Sequence, residues 1–343
     1  MNTLLAEWAP QWGVMIAWPS EHTDWADILN DAERTYCALA QAILAQENLL
    51  ILCRDDTHQQ RIQTTLGETG AHARLHFLHL DYNDTWARDF GPLTVSCDDG
   101  ENDKKMLLDF DFNGWGNKFA AEQDNAVSQK IHWQCAVKSI DVVLEGGSVE
   151  SNGNGLLLTT SHCLLNPNRN PTLDQAAVEA LLRQEFGAQH ILWLHSGHLE
   201  GDDTDAHIDT LARFCNDTTI AYVQCTDPRD SHYPALAAME AELQAHAREH
   251  QLQLVPLPMA EPAYDDDGHR LPATYANFLI INNAVLMPTY SNTSTATAAD
   301  TAALAQLAKA FPQHQIIGVP CVPLIHQHGS LHCVTMQLPE GVL

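Results

Sequence analysis

Short apolar runs and helix-period segments alternate along this chain from one end to the other, and no Gly/Ser-rich linker or shift in composition interrupts them. Asp27–Gln46 places Ile28, Ala32, Tyr36, Leu39 and Ile43 on one helical face. Asn48–Cys53 follows as an apolar strand, and residues 73–80 alternate as a strand with one polar face. Further strands are expected at Leu107–Phe112, Gly155–Thr160, Ile191–Leu194, Thr219–Gln224, Leu252–Leu257, Phe278–Ile281 and Gln315–Val319. Thr172-Leu-Asp-Gln175 reads as a capping box opening a helix to Phe186, and Pro234–Arg248 and Ala298–Phe311 are further helices. This interleaving predicts an α/β fold in one domain over residues 1–343. Pro258–Pro272 is the longest expected loop, and its Asp265-Asp266-Asp267 run reads as a solvated turn.

Charge narrows the partners. With 17 Lys+Arg against 44 Asp+Glu the formal net charge is -27. Such an excess repels phosphate backbones and anionic bilayers and attracts cations, so neither nucleic acid nor a membrane is expected as a partner. No apolar run reaches the ~18 residues of a membrane span. The first residues, MNTLLAEWAPQW, lack the basic start and apolar stretch of a secretory signal. Nine cysteines, an odd number with no CxxC pair, read as reduced thiols of a cytoplasmic protein. The oligomeric state is left open, and a homo-oligomer is compatible with all of this.

Four segments follow neither period and concentrate polar, glycine and tryptophan residues. They are Asn83–Pro92, Leu144–Ser148, Gly201–Asp209 and His328–Thr335. If 207–209 is extended, His207 and Asp209 share a side. Asp202, Asp203 and Asp205 suit backbone capping. Cys333 follows a glycine-containing loop, and its strand neighbour His332 would point to the opposite side, so His207 is the better acid–base partner. Glu145 reads as a carboxylate held at a turn, and Asp89 as a carboxylate beside Arg88. Trp86 offers a flat apolar face for a pocket or the core.

Taken together these residues resemble the agmatine deiminase family of the guanidine-modifying superfamily, which also holds the bacterial peptidyl-arginine deiminases. The resemblance rests on Trp18-Pro19, Trp86-Ala-Arg-Asp89-Phe-Gly-Pro92, Asn113-Gly-Trp-Gly116, Glu145-Gly-Gly147, Asp202–Asp209 and Leu331-His-Cys333, in the family's order and across nearly the whole chain. It implies the pentein fold, a pseudo-fivefold α/β propeller of ββαβ-type units around a central site. It also implies Cys333 as nucleophile, His207 as general acid/base, and Asp89 and Asp209 as the carboxylates gripping a guanidinium. Glu145 would pair with the guanidinium or orient the histidine, and Trp86 would lie along the substrate's aliphatic part. The implied partner is a cationic guanidine, agmatine first, with no metal or other cofactor.

The sequence departs from the family pattern at Gln327–Leu331, Asn282–Ala284 and Ser291–Thr295, and these departures bear on which guanidine is used. Free or peptidyl arginine is the alternative substrate within the same chemistry. An amidinotransferase, a metal-dependent hydrolase using His195, His198, Asp202, Asp203, His207 and Asp209, and a non-catalytic binder are the other readings. No HExxH-type spacing supports the metal reading.

Overall fold

The computed structural model describes residues 2–98, 103–291 and 295–343. Part of the departure at Ser291–Thr295, residues 292–294, therefore lies outside the described residues. Five sheets account for the described strands. In three of them two antiparallel strands are followed by a helix and a third strand that returns parallel. Val149–Ser151 and Leu156–Thr160 pair in this way, then helix Gln175–Phe186 leads to His190–Leu194. Ala212–Asn216 and Thr219–Gln224 are followed by helix Tyr233–His250 and Gln253–Pro258. Leu279–Ile281 and Ala284–Thr289 are followed by helix Ala298–Ala310 and Gln315–Pro320. Leu93–Asp98, Asp103–Asp111 and Ala136–Val143 repeat the strand order, with Asn2–Leu4 added at the edge.

The fifth unit joins the chain's two ends. Met336–Pro339 pairs antiparallel with Gln11–Ala17, which pairs parallel with Asn48–Cys53 after helix Leu29–Leu44. Five copies of one strand order, closed by the last strand on an early one, form the pseudo-fivefold pentein propeller.

The expected helices form with small shifts. The Gln175 helix is capped by Asp174, whose carboxylate accepts from Ala177 N, so Thr172 is not its cap. The capping box is instead at Thr297 and Asp300, opening the Ala298 helix. Asp265 forms the solvated turn expected of its loop, accepting from the backbone N–H groups of Asp267 and His269.

The sequence pattern passes over Gln11–Ala17, Leu93–Asp98, Val149–Ser151, Ala212–Asn216, Ala284–Thr289 and Met336–Pro339. Most of these bury both faces, as in Val14–Ala17 and Ala212–Cys215, so alternation is erased and the runs are too short to announce themselves. Among the described residues no helix is long and apolar enough to cross a membrane.

Closure depends on a well-buried seam: Leu338 is 0% exposed and faces Gly13 across it. Leu338→Ala should lower the unfolding free energy by about 3 kcal/mol through the cavity it leaves. Urea titration beside a half-exposed control, Val137→Ala, measures the difference.

Candidate active site

One position recurs in every unit. The turn just before its first strand carries polar side chains toward the centre. Asp89 precedes Leu93, Glu145 precedes Val149, and His207 and Asp209 precede Ala212. Asn277 precedes Leu279, and His332 and Cys333 precede Met336. Residues far apart in sequence therefore converge because the repeat is fivefold.

The 207–209 stretch is a 3-10 turn over Ile208–Thr210 with His207 at its start, and not an extended strand. Convergence of the two side chains comes from Gly147. A Cβ there would lie 2.7 Å from His207 Nδ1, 2.8 Å from Asp89 Oδ1 and 3.2 Å from Asp209 Oδ2. Only glycine lets three polar side chains crowd onto this backbone.

Asp89 is fixed by two donors: Trp115 Nε1 at 2.8 Å on Oδ2 and Gly147 N at 3.0 Å on Oδ1. Burial, then the Glu145 charge, pushes its carboxyl up to about 7 despite these bonds. Asp209 is likewise pushed well above the ordinary carboxylate range by burial and by Asp89. Its Oδ2 lies 2.7 Å from His332 Nδ1, while its Oδ1 is buried with no hydrogen-bond partner.

Both ring nitrogens of His207 are likewise buried and unpartnered, 3.6 Å from Asp89 Oδ1 and 3.9 Å from Glu145 Oε2. Burial, then the Arg169 cation, holds its pKa well below the ordinary range, so the ring is neutral. Its backbone N–H donates to Thr204 Oγ1. The preceding loop is pinned by Asp202, which caps Thr204 N and Ala206 N as expected. Asp205 and Ala206 both hold positive φ there.

Cys333 sits in a turn, 4% exposed. Its Sγ is 3.4 Å from Asn277 Oδ1 and 3.8 Å from Asp209 Oδ2. Burial first, then Asp209 and Asp89, pushes the thiol well above its ordinary range. At rest the site thus holds a neutral thiol and a neutral imidazole.

A cavity of about 200 Å³ leads to Cys333 and Asp89. Trp86 forms one wall, with Nε1 donating to Asp84 Oδ2 at 3.0 Å. Gly329 closes against that ring: a Cβ there would meet Trp86 at 2.1 Å. Asp24, Asp84, Asp124 and Asp203 add carboxylates to the lining. Asp84 Oδ1 is buried and unpartnered, and burial with the Asp24 charge pushes this carboxyl up to about 7. Of the departures from the family pattern, Gln327, His328 and Gly329 line this cavity. Asn282 and Asn283 instead form the turn of a strand pair beside Gln11.

Glu145 is not on the cavity wall. Both its oxygens face Arg169 Nε, at 2.8 and 2.9 Å, and Arg169 also reaches Asp205 Oδ2 and Thr204 O. Glu145 Oε2 also lies 3.9 Å from His207 Nε2. The six residues of the metal reading do not converge, since His195 and His198 are exposed. Among the described residues the side chains spaced to hold a metal are Glu145, Cys163 and His207, and Asp265, Asp267 and His269. In the first group Arg169 already lies against the carboxylate and opposes a second cation there.

Sequence reasoning gave no role to Glu7, Asn277, Arg169 or Trp115. Trp115 stood in a quoted motif, whereas the other three sit in stretches with no distinguishing pattern.

The profile of the Porphyromonas-type peptidyl-arginine deiminase family matches residues 3–339. A solved Campylobacter (C. jejuni) agmatine deiminase, a cysteine-to-serine variant with substrate bound, is 37% identical. It superposes with a TM-score of 0.91 over 100% of this chain and 98% of that one. A Porphyromonas gingivalis structure, provisionally assigned as an arginine deiminase, is 45% identical with a TM-score of 0.91 over 100% of both chains. A Marinomonas relative provisionally assigned as an agmatine deiminase is 33% identical over 98% of this chain and 94% of its own.

The raised thiol has a direct consequence. Iodoacetamide labelling of Cys333, followed by peptide mass spectrometry, should rise about tenfold per pH unit to pH ~9 without a plateau. A plateau below pH ~8 would mean a thiolate preformed at rest.

Proposed function

The chain belongs to the Porphyromonas-type peptidyl-arginine deiminase family, and from that premise we propose that it is an agmatine deiminase. It is a hydrolase of the C–N bonds of linear amidines, converting agmatine and water to N-carbamoylputrescine and ammonia. The observation that carries the substrate reading is the cavity lining. Five aspartates, Asp24, Asp84, Asp89, Asp124 and Asp203, line it without a lysine or arginine among the described residues. Lys118, beside the mouth, is taken by the Asp203 carbonyl and Asp205. A substrate α-carboxylate would find no cation there, whereas a dication finds acceptors at both ends. The unpartnered oxygen of Asp84 suits the distal ammonium, and the Trp86 face suits the methylene chain between.

The residues act as follows. The guanidinium lies between Asp89 and Asp209, each accepting its N–H groups in charge-assisted bonds. The arriving cation ionises both carboxyls and lowers the thiol pKa of Cys333. Neutral His207 takes the thiol proton, and Sγ attacks the guanidinium carbon. The tetrahedral adduct collapses as His207 returns the proton to the leaving NH₂, which departs as ammonia. Cys333 then carries an amidino group through a C–S bond. His207 next takes a proton from water, which adds to the same carbon. The thiolate leaves, and a ureido product remains. Glu145, held by Arg169, supports His207 from behind and stabilises the imidazolium as it forms. Residues 1–343 act as one catalytic domain, because every unit contributes to the site. All nine cysteines are free, which supports a cytoplasmic setting.

The purified chain should release ammonia and ureido product from agmatine, and little from arginine or a blocked arginine peptide. Cys333→Ala should abolish turnover. Because Asp89 must be ionised to hold a cation, kcat/KM should fall tenfold per unit as pH drops below about 7. Preferred turnover of arginine would keep the chemistry and move the substrate to the assignment carried by the Porphyromonas gingivalis relative. No turnover of any guanidine would overturn the reading.

A further inference from the structure

His332 is the one buried histidine at the centre that the reaction above does not use. Its ring nitrogens lie 2.7 Å from Asp209 Oδ2 and 2.7 Å from Glu7 Oε2, and the side chain is 3% exposed. Two short contacts to carboxylate oxygens each need a hydrogen, so Glu7, His332 and Asp209 share two protons. Glu7 is held as the anion: Arg213 Nη2 lies at 2.8 Å, Ile280 N at 2.6 Å and Arg88 Nη2 at 3.5 Å. Nε2–H therefore donates to Glu7. The remaining proton lies between Nδ1 and Asp209 Oδ2.

Resting on the deiminase reading, we propose that His332 is a positioning residue that locks Asp209 with its Oδ1 toward the substrate. It also takes the Asp209 proton from Oδ2 onto Nδ1 when a guanidinium arrives. The geometry carries both parts. Oδ2 faces the His332 ring at 2.7 Å and Cys333 Sγ at 3.8 Å, so Oδ1, buried and unpartnered, is the oxygen left for a guanidinium N–H. Asn277 completes the lock, donating to the Asp209 carbonyl while its Oδ1 accepts from His332 N at 2.8 Å.

The proton moves along one hydrogen bond, from an acid to a ring nitrogen, so Asp209 becomes an anion without exchange with solvent. The charged groups around the ring balance on either side of that transfer. Glu7 and Asp209 favour the imidazolium. Arg213 and Arg88 oppose it, and Glu150 engages Arg213 Nε and reduces its opposition. Without a ligand, burial and the two arginines keep the ring neutral and the proton on Asp209. With a guanidinium at Oδ1, the Asp209 anion is favoured and the balance reverses.

His332→Asn keeps a donor near the Nδ1 position but has no acceptor for the proton, and His332→Gln keeps the Nε2 position and loses the bond to Asp209. In His332→Asn the Asp209 proton has to leave to solvent. Its kcat/KM should then fall as two protons on the acid side where the wild type falls as one. At pH ~6 it should be at least tenfold below the value extrapolated from pH ~8 by the wild-type slope. His332→Gln should raise KM for agmatine about tenfold or more. A structural role alone would lower Tm in both variants and leave the slope at one proton, which would overturn the proposal.

A second measurement needs no change at His332. In ¹⁵N-histidine-labelled Cys333→Ala, agmatine should convert one buried ring from neutral to doubly protonated shifts, and no such conversion would overturn the transfer. A wild-type chain that turns over agmatine beside a His332→Asn variant with an unchanged slope overturns this inference alone. A wild-type chain inert to every guanidine overturns the deiminase reading as well.

Discussion

Carboxylates stripped of water at the meeting point of five units set the terms for the rest of this structure. An ionised carboxylate taken from water into a closed centre costs several kcal/mol unless a cation compensates it. The chain meets this on one side with its own arginines. Arg169 covers Glu145, Arg213 covers Glu7 and Glu150, and Arg88 lies toward Glu7. On the other side, Asp89 and Asp209 are left with raised pKa values. The protein thus places a guanidinium against each carboxylate pair it must neutralise for folding. On the proposed reading it leaves open the pair that a substrate guanidinium would neutralise. On that reading the centre suits an ion of that shape: planar, cationic and rich in donors.

The resting protonation states follow from this arrangement. A neutral thiol at Cys333 and a neutral imidazole at His207 are both products of burial first, with the carboxylates of Asp209 and Asp89 acting on the thiol and the Arg169 cation on the ring. Neither is a reactive species in water-free isolation. Binding of a cation changes the field at both carboxylates and the thiol together, so activation and recognition become one event. Such coupling keeps the thiol quiet until a guanidinium is seated, in a protein with eight other cysteines that are also unpaired.

The segments that hold the proposed catalytic residues were legible in the sequence because they break the scaffold's periodicity, and the roles within them came from the family resemblance. Asp89, Glu145, His207, Asp209 and Cys333 all lie in segments with glycines and polar runs where a plain core has none. Their common position, just before a unit's first strand, was not legible. Of those five strands only Leu279–Ile281 was expected, as Phe278–Ile281; the other four are short and mostly buried on both faces, so neither alternation nor length marks them. Glu7 and Asn277 were hidden for a different reason. A single polar residue in an apolar run reads as surface, and only the closure of the propeller turns both inward. Arg169 was invisible as a partner of Glu145 because the two lie 24 residues apart, in separate loops of one unit. The capping motif at Thr172 misled because Asp174, two residues later, accepts from Ala177 N and starts the helix there. The five strand repeats share no visible sequence repeat, since only burial and strand order are common to them.

The central claim is that Cys333 bonds covalently to the guanidinium carbon. Rapid acid quench of the wild-type chain mixed with excess agmatine, followed by whole-protein and peptide mass spectrometry, tests it most directly. The account predicts an adduct equal to agmatine minus ammonia, confined to the peptide that contains Cys333 and absent in Cys333→Ala. In the wild type the adduct should appear transiently during turnover. Ureido product formed by the wild type with no adduct at any quench time, or an adduct on another cysteine, would contradict the account.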